Sequence, residues 1–148
     1  MLLGAALKAC SLLVAADMTA VLGEAPVKTR ASKPQPSASQ CLYSLPKTAT
    51  SVSIEVTRGV QAQQRLDRLR QAAQVEGEEA DENERPAIEP IRGLGEEAFF
   101  AIGLGMAGVY VAHGKTLLRV SIESPDPNRS NLNNLRRLAR RALSHLPR

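Results

Sequence analysis

The side chains able to do chemistry are few, and they are scattered along 148 residues. Cys10, Cys41, His113 and His145 are the soft or titratable candidates for a metal site. Zinc fingers and ribbons take their ligands in close pairs, and this spacing offers none. A catalytic histidine needs an acid or a nucleophile within hydrogen-bond reach. No Gly-x-Ser-x-Gly elbow and no local Cys–His signature accompanies His113. Glu96 and Glu97 are adjacent, so on a strand they point to opposite faces and make no ready carboxylate pair. Gly103-Leu-Gly-Met-Ala-Gly108 has the letters of a dinucleotide fingerprint, with Glu123 twenty residues after Gly103. That fingerprint works where a helix N-terminus follows and faces the pyrophosphate. Here Val-Tyr-Val-Ala-His-Gly114 follows, a strand pattern, so the glycines read as a hairpin loop. The chain is therefore expected to be no enzyme and to hold no cofactor and no metal.

The remaining chemistry is charge. The net charge is +4, but the average hides a segregation. Glu76, Glu78, Glu79, Asp81, Glu82 and Glu84 form an acidic block, read as a flexible surface loop over 76–85 because like charges repel. Arg136, Arg137, Arg140 and Arg141 share one side of the last helix at i, i+4 spacing. They could meet nucleic-acid phosphates, an anionic membrane surface or an acidic partner. The plainer reading is a solvated face. Trp is absent, and two Tyr and two Phe leave little for stacking on bases or sugars. No run of about 18 uncharged apolar residues is present, so no transmembrane helix is expected.

These residues need elements to place them. Ser11 to Leu22 reads as a first helix, with Leu12, Leu13, Ala16, Ala20 and Val21 as its apolar stripe and Asp17 on the wet side. Gly23 and Pro26 stop it. The proline-rich stretch 24–40 is a long loop, part of which could form an edge strand. Gln40 to Leu45 and Ser51 to Arg58 alternate with period two and make a hairpin. Val60 to Val75 switches to helical period, with Leu66, Leu69, Ala72 and Ala73 inward. Ala87 to Leu94, Ala98 to Ile102, Val109 to Ala112 and Lys115 to Glu123 return to strands, the last with one wet face. Pro125-Asp126-Pro127 breaks the sheet, and Asn128 or Ser130 can cap a final helix to about His145. Its apolar face runs through Leu132, Leu135, Ala139, Ala142 and Leu146. The pattern is α+β: an antiparallel sheet of about five strands, with N- and C-terminal helices packed on one face.

Several short motifs now align with a known type. Ala9-Cys10-Ser-Leu-Leu, then Ala-Ala-Asp-Met-Thr-Ala-Val-Leu-Gly23, resembles the opening of small secreted bacterial lipoprotein domains of unknown function, the actinobacterial-type envelope lipoproteins. In those a Cys precedes a Leu-Leu helix and a second Cys sits on the first strand, as Cys41 does in Ser-Gln-Cys-Leu-Tyr43. Gly93-Leu-Gly-Glu-Glu-Ala-Phe-Phe100 is similar to their Gly-Leu-Gly-Asp-Glu-Ala segment. The hairpin Val109 to Ile122 and the closing Leu138-Ala-Arg-Arg-Ala-Leu143 helix also fit.

The resemblance implies an extracytoplasmic place, in the periplasm or cell envelope. Under that reading Cys10 and Cys41 form a disulfide, whereas a reducing cytosol would leave two buried thiols. Leu7-Lys8-Ala9-Cys10 also loosely resembles a lipoprotein cleavage box, in which Cys10 would be acylated. Residues 1–9 then read as the remnant of a leader or a disordered N-terminus, and 10–147 as one domain. The expected role is a non-enzymatic envelope domain that binds a ligand or protein partner, with membrane-surface association open and nucleic acid disfavoured. The alternative is a cytosolic basic protein that uses Arg136, Arg137, Arg140 and Arg141 on nucleic acid or an acidic partner.

Overall fold

Period-two alternation builds a single sheet from strands spread along the chain. The computed structural model describes residues 8–33, 35, 37–79, 87–103, 106–123 and 131–146. Its strands are β1 (Lys28–Ala31), β2 (Ala38–Leu45), β3 (Thr50–Arg58), β4 (Ala87–Ile91), β5 (Glu97–Gly103), β6 (Met106–His113) and β7 (Thr116–Glu123). Its helices are α1 (Ala15–Leu22), α2 (Val60–Glu79) and α3 (Asn131–Ser144). The strands form one antiparallel sheet in the order β1-β2-β3-β7-β6-β5-β4.

Seven strands replace the expected five or so. The first extra strand, β1, comes out of the stretch 24–40 and pairs along β2 as an edge. β4 closes the other edge, and it tolerates Pro90 because an edge strand has one side without ladder bonds.

The helices do not all sit on one face, as the sequence suggested. On the first face Cys41, Tyr43, Val52, Ile54, Val56, Val109, Val111, Leu118, Val120 and Ile122 meet Met18 and Val21 of α1 and Leu135, Leu138, Ala139 and Ala142 of α3. On the second face α2 buries Ala62, Leu66 and Leu69 against Phe99, Ala112 and Leu117. The doublets Phe99-Phe100, Val111-Ala112 and Leu117-Leu118 carry the reason. Strand neighbours point to opposite faces, so two apolar residues in a row need cover on both.

Two helix boundaries also differ. α1 starts at Ala15 and not Ser11, because the Asp17 carboxylate accepts the backbone N–H of Val14 at 2.9 Å and fixes the first turn there. A short 3-10 turn, Ala9–Ser11, precedes it. Ala16 and Ala20 are exposed, while Asp17, assigned to the wet side, is buried. Ala9, read as leader remnant, is fully buried and donates its N–H to Ser39 Oγ at 2.9 Å. α2 continues to Glu79, so residues 76–79 of the expected acidic loop are helical. The rest of that block, with the Pro125-Asp126-Pro127 break and the capping candidates Asn128 and Ser130, lies outside the described residues.

The Gly93-Leu94-Gly95 bend is a plug. Leu94 is buried in the first core between two glycines of positive φ. At Gly95 a Cβ would come within 2.4 Å of Val111 Cγ1 and 2.8 Å of the Ala112 carbonyl oxygen. Only glycine lets the chain pass β6 this closely before Glu96 N–H bonds to Ala112 O at 2.9 Å.

Candidate functional site

Cys10 and Cys41 are joined in a disulfide, with Cα atoms 5.0 Å apart. Around it the N-terminal turn is fastened to β2. Tyr43 Oη donates to the carbonyl of Leu13 at 2.6 Å, and Ser39 holds Ala9. Burial, with the nearby Asp17 charge adding to it, pushes the Tyr43 phenol up to about 12, so it stays a neutral donor. The bridge uses Cys10 Sγ, so that atom is not available for acylation.

The other chemical candidates are kept apart. With both cysteines in the bridge, His113 is left exposed at the β6–β7 turn and His145 beside Asp17 at 3.7 Å. Among the described residues no three His, Cys, Asp or Glu side chains are grouped to hold a metal. Gly103 ends β5 and Gly108 lies within β6, so a strand follows the glycine run where a nucleotide cradle needs a helix. Glu96 accepts from Gly114 N–H, while Glu97 takes a fork from Arg70, Nε at 3.0 Å and Nη2 at 2.6 Å.

The four arginines of α3 do not form a free cationic face. Arg141 pairs with the buried Asp17 at 3.0 Å. Arg137 donates to the carbonyl of Ala20, in the last turn of α1, at 3.1 Å, where a cation meets the negative end of the helix dipole. Arg136 reaches the Arg92 carbonyl at 3.5 Å, and its Nε is buried. Arg140 alone stands exposed without a partner among the described residues. Most of the run therefore clamps α3 onto α1 and the β4–β5 bend.

The sequence did not suggest the site that remains. α2 covers only part of the second face. Beyond it lie three transverse rows, each set by strand register, with Ser121 in the middle of them only 3% exposed. Gln40, Glu55, Arg119 and Tyr110 form the first row across β2, β3, β7 and β6. Leu42, Ser53, Ser121 and Gly108 form the second, and Ser44, Ser51, Glu123 and Met106 the third. Ser53, Ser121 and Gly108 of the middle row are small, so they make a trough between the outer two. At Gly108 an added Cβ would meet Ser121 Oγ at 3.2 Å. The cleft has a volume of about 210 Å³, with Gln40 and Arg119 on one wall and Ser51 and Glu123 on the other.

Its electrostatics are uneven. Glu55 is shared by two guanidinium groups: Arg65 of α2 binds its Oε1, and Arg119 Nε stands 4.0 Å from the same atom. The Arg119 side chain is 19% exposed, and its Nε has no hydrogen-bond partner. That wall carries two positive charges against one negative charge. On the facing wall Glu123 has no cationic partner among the described residues.

Two other cavities lie beside α2. One, of about 300 Å³, lies between its first turns and the β6–β7 turn, against Leu66 and Leu117. The other, of about 520 Å³, lies along the Gly93–Gly95 bend beside Arg70. No family model, curated protein or solved structure matches the chain. No helix among the described residues is long and apolar enough to cross a membrane.

Proposed function

We propose that the chain is an exported envelope domain of the small bacterial lipoprotein type its Gly93–Phe100 segment resembles, and that it binds a ligand or partner without catalysis. The observation that carries this reading is the Cys10–Cys41 disulfide, which is compatible with an oxidising compartment outside the cytoplasm. The polar side chains support binding over catalysis. Asp17, Glu55 and Glu97 are committed to arginines, and the two histidines are apart. The clamping of α3 onto α1 weighs against the arginine helix as a nucleic-acid reader.

The test is fractionation of the native host with thiol trapping of intact cells. The expected result is an oxidised pair in the extracytoplasmic fraction. A reduced pair in the cytosolic fraction refutes the export reading.

A further inference from the structure

We propose that the trough across β2, β3, β7 and β6 binds a short zwitterionic peptide of dipeptide size. The argument begins with charge. The Arg65–Glu55–Arg119 group has one carboxylate for two guanidinium groups, and the less well paired of the two, Arg119, lines the cleft. A ligand carboxylate supplies the missing charge and accepts from donors already held in place. On the opposite wall Glu123 presents a carboxylate that a ligand ammonium complements. Ser53, half-buried, lies between the walls above the buried floor residue Ser121, and its hydroxyl both donates and accepts, which suits a peptide unit. A simple anion is repelled by Glu123 and a simple cation by Arg119. A molecule carrying both charges satisfies both walls.

Distance sets the length. Arg119 and Glu123 are four residues apart on one strand face, which puts their Cα atoms about 13 Å apart at about 3.3 Å per residue. A charge-assisted hydrogen bond takes about 3 Å at each end. For charged groups standing over their own Cα atoms, about 7 Å is left between the ligand's termini, the span of two extended residues at roughly 3.3–3.6 Å each. A free amino acid is too short to reach both walls. The cleft, at about 210 Å³, is smaller than the sites that hold drug-sized ligands, which run from about 300 Å³ upward. Leu42, paired with Arg30 of β1 in the same row, gives an apolar contact for one side chain and selects little.

This inference rests on the reading of the chain as a binding domain and is independent of export, because it is tested on the purified oxidised protein. The isotope-labelled chain is titrated with alanyl-alanine, alanine, N-acetyl-alanyl-alanine and alanyl-alanine amide, and backbone amide shifts are followed. The expected result is saturable shifts centred on Ser53, Gly108 and Ser121 with the dipeptide. Alanine and each blocked form should bind at least about tenfold more weakly, as loss of one charge-assisted contact implies. Glu123→Gln, at an exposed position, should weaken alanyl-alanine about tenfold and leave the N-acetyl form unchanged. Arg119→Gln should do the converse, leaving the amide form unchanged. Three results overturn the proposal: no saturable shift at tens of millimolar dipeptide, equal binding of blocked and free forms, or contacts showing that another part of the chain fills the trough. None of them bears on export, which the fractionation decides separately.

Discussion

Cutting the Cys10–Cys41 bridge tests most directly how the domain is held together. The two residues are separated by 31 positions. In the chain-entropy account a loop of that size restricts the unfolded chain by about 12 cal/mol/K, or about 3.7 kcal/mol at 25 °C. A domain of this length shifts its midpoint by about 2–4 °C per kcal/mol, so the reduced protein should melt roughly 7–15 °C lower. Two variants separate the unfolded-state effect from native packing. Cys10 is half-buried at the rim of the core, so Cys10→Ala should match simple reduction. Cys41 is fully buried, so Cys41→Ala also empties core volume and should cost about 1 kcal/mol more. Urea unfolding of the oxidised, reduced and two variant proteins, followed by circular dichroism, measures all four. The entropic account also requires a larger m-value once the bridge is cut, because an unlinked chain exposes more surface. A stability difference below about 1 kcal/mol refutes the reasoning. A full loss of stability with an unchanged m-value refutes it too, since that would place the effect in the native state.

Two further predictions concern the contacts that hold the N-terminal region. Asp17→Ala removes the bond from Val14 N–H, worth about 1 kcal/mol as a helix cap, and the pair with Arg141, worth up to about 1 kcal/mol. Arg141→Gln leaves the buried Asp17 carboxylate with the Val14 N–H and no guanidinium, so it should also lose about 1–3 kcal/mol, and a loss below about 0.5 kcal/mol in urea unfolding would show that the cap and not the pair matters. Tyr43 gives a pH dependence. Its folded pKa of about 12 lies above the unfolded value of 10.0, so the stability it lends is complete below pH 10 and is lost as pH rises through 12. The wild type should therefore lose on the order of 2 kcal/mol more than Tyr43→Phe between those limits. Parallel alkaline unfolding curves for the two proteins would sink that assignment.

The sequence made the first face of the sheet legible because one pattern determined it. Val52, Ile54 and Val56 alternate with polar residues, as do Leu118, Val120 and Ile122, and register places them in one core. The stripe of α3 was equally plain, since Leu135, Ala139 and Ala142 fall at helical spacing against that face. The cysteine pairing followed from the resemblance and not from spacing. The second face was harder to foresee. Its signal lay in apolar doublets such as Phe99-Phe100, which alternation alone treats as noise. The burial of Asp17 was hidden for a different reason. A lone aspartate on an apolar helix reads as wet, and its burial is made tolerable by the Val14 N–H and by a partner 124 positions away, Arg141. The arginine run misled in the same way, because its partners are carbonyls at Ala20 and Arg92 that no side-chain pattern reports.

The trough was illegible in principle. Leu42, Ser53, Gly108 and Ser121 lie far apart in the chain, and each is unremarkable on its own strand. They become one floor only when β3 pairs with β7 and β7 with β6 in a register that puts Ser53 and Gly108 both opposite Ser121. A one-residue slip would send Ser121 into the first core and bring Val120 or Ile122 out to the open face. The burial of Val120 and Ile122 therefore fixes the trough as a by-product. α2 then decides how much of the second face stays open. Its Leu66 and Leu69 need apolar ground, which Phe99, Ala112 and Leu117 supply. The rows through Arg119, Ser121 and Glu123 supply little beyond Tyr110, which packs at the edge of that cluster, so burying the rest under α2 would strand hydroxyls and charges without partners. The division of the second face between an apolar part under α2 and a polar part beyond it follows from that cost, and the carboxylate of Glu55 links the two, shared between Arg65 of the helix and Arg119 of the trough.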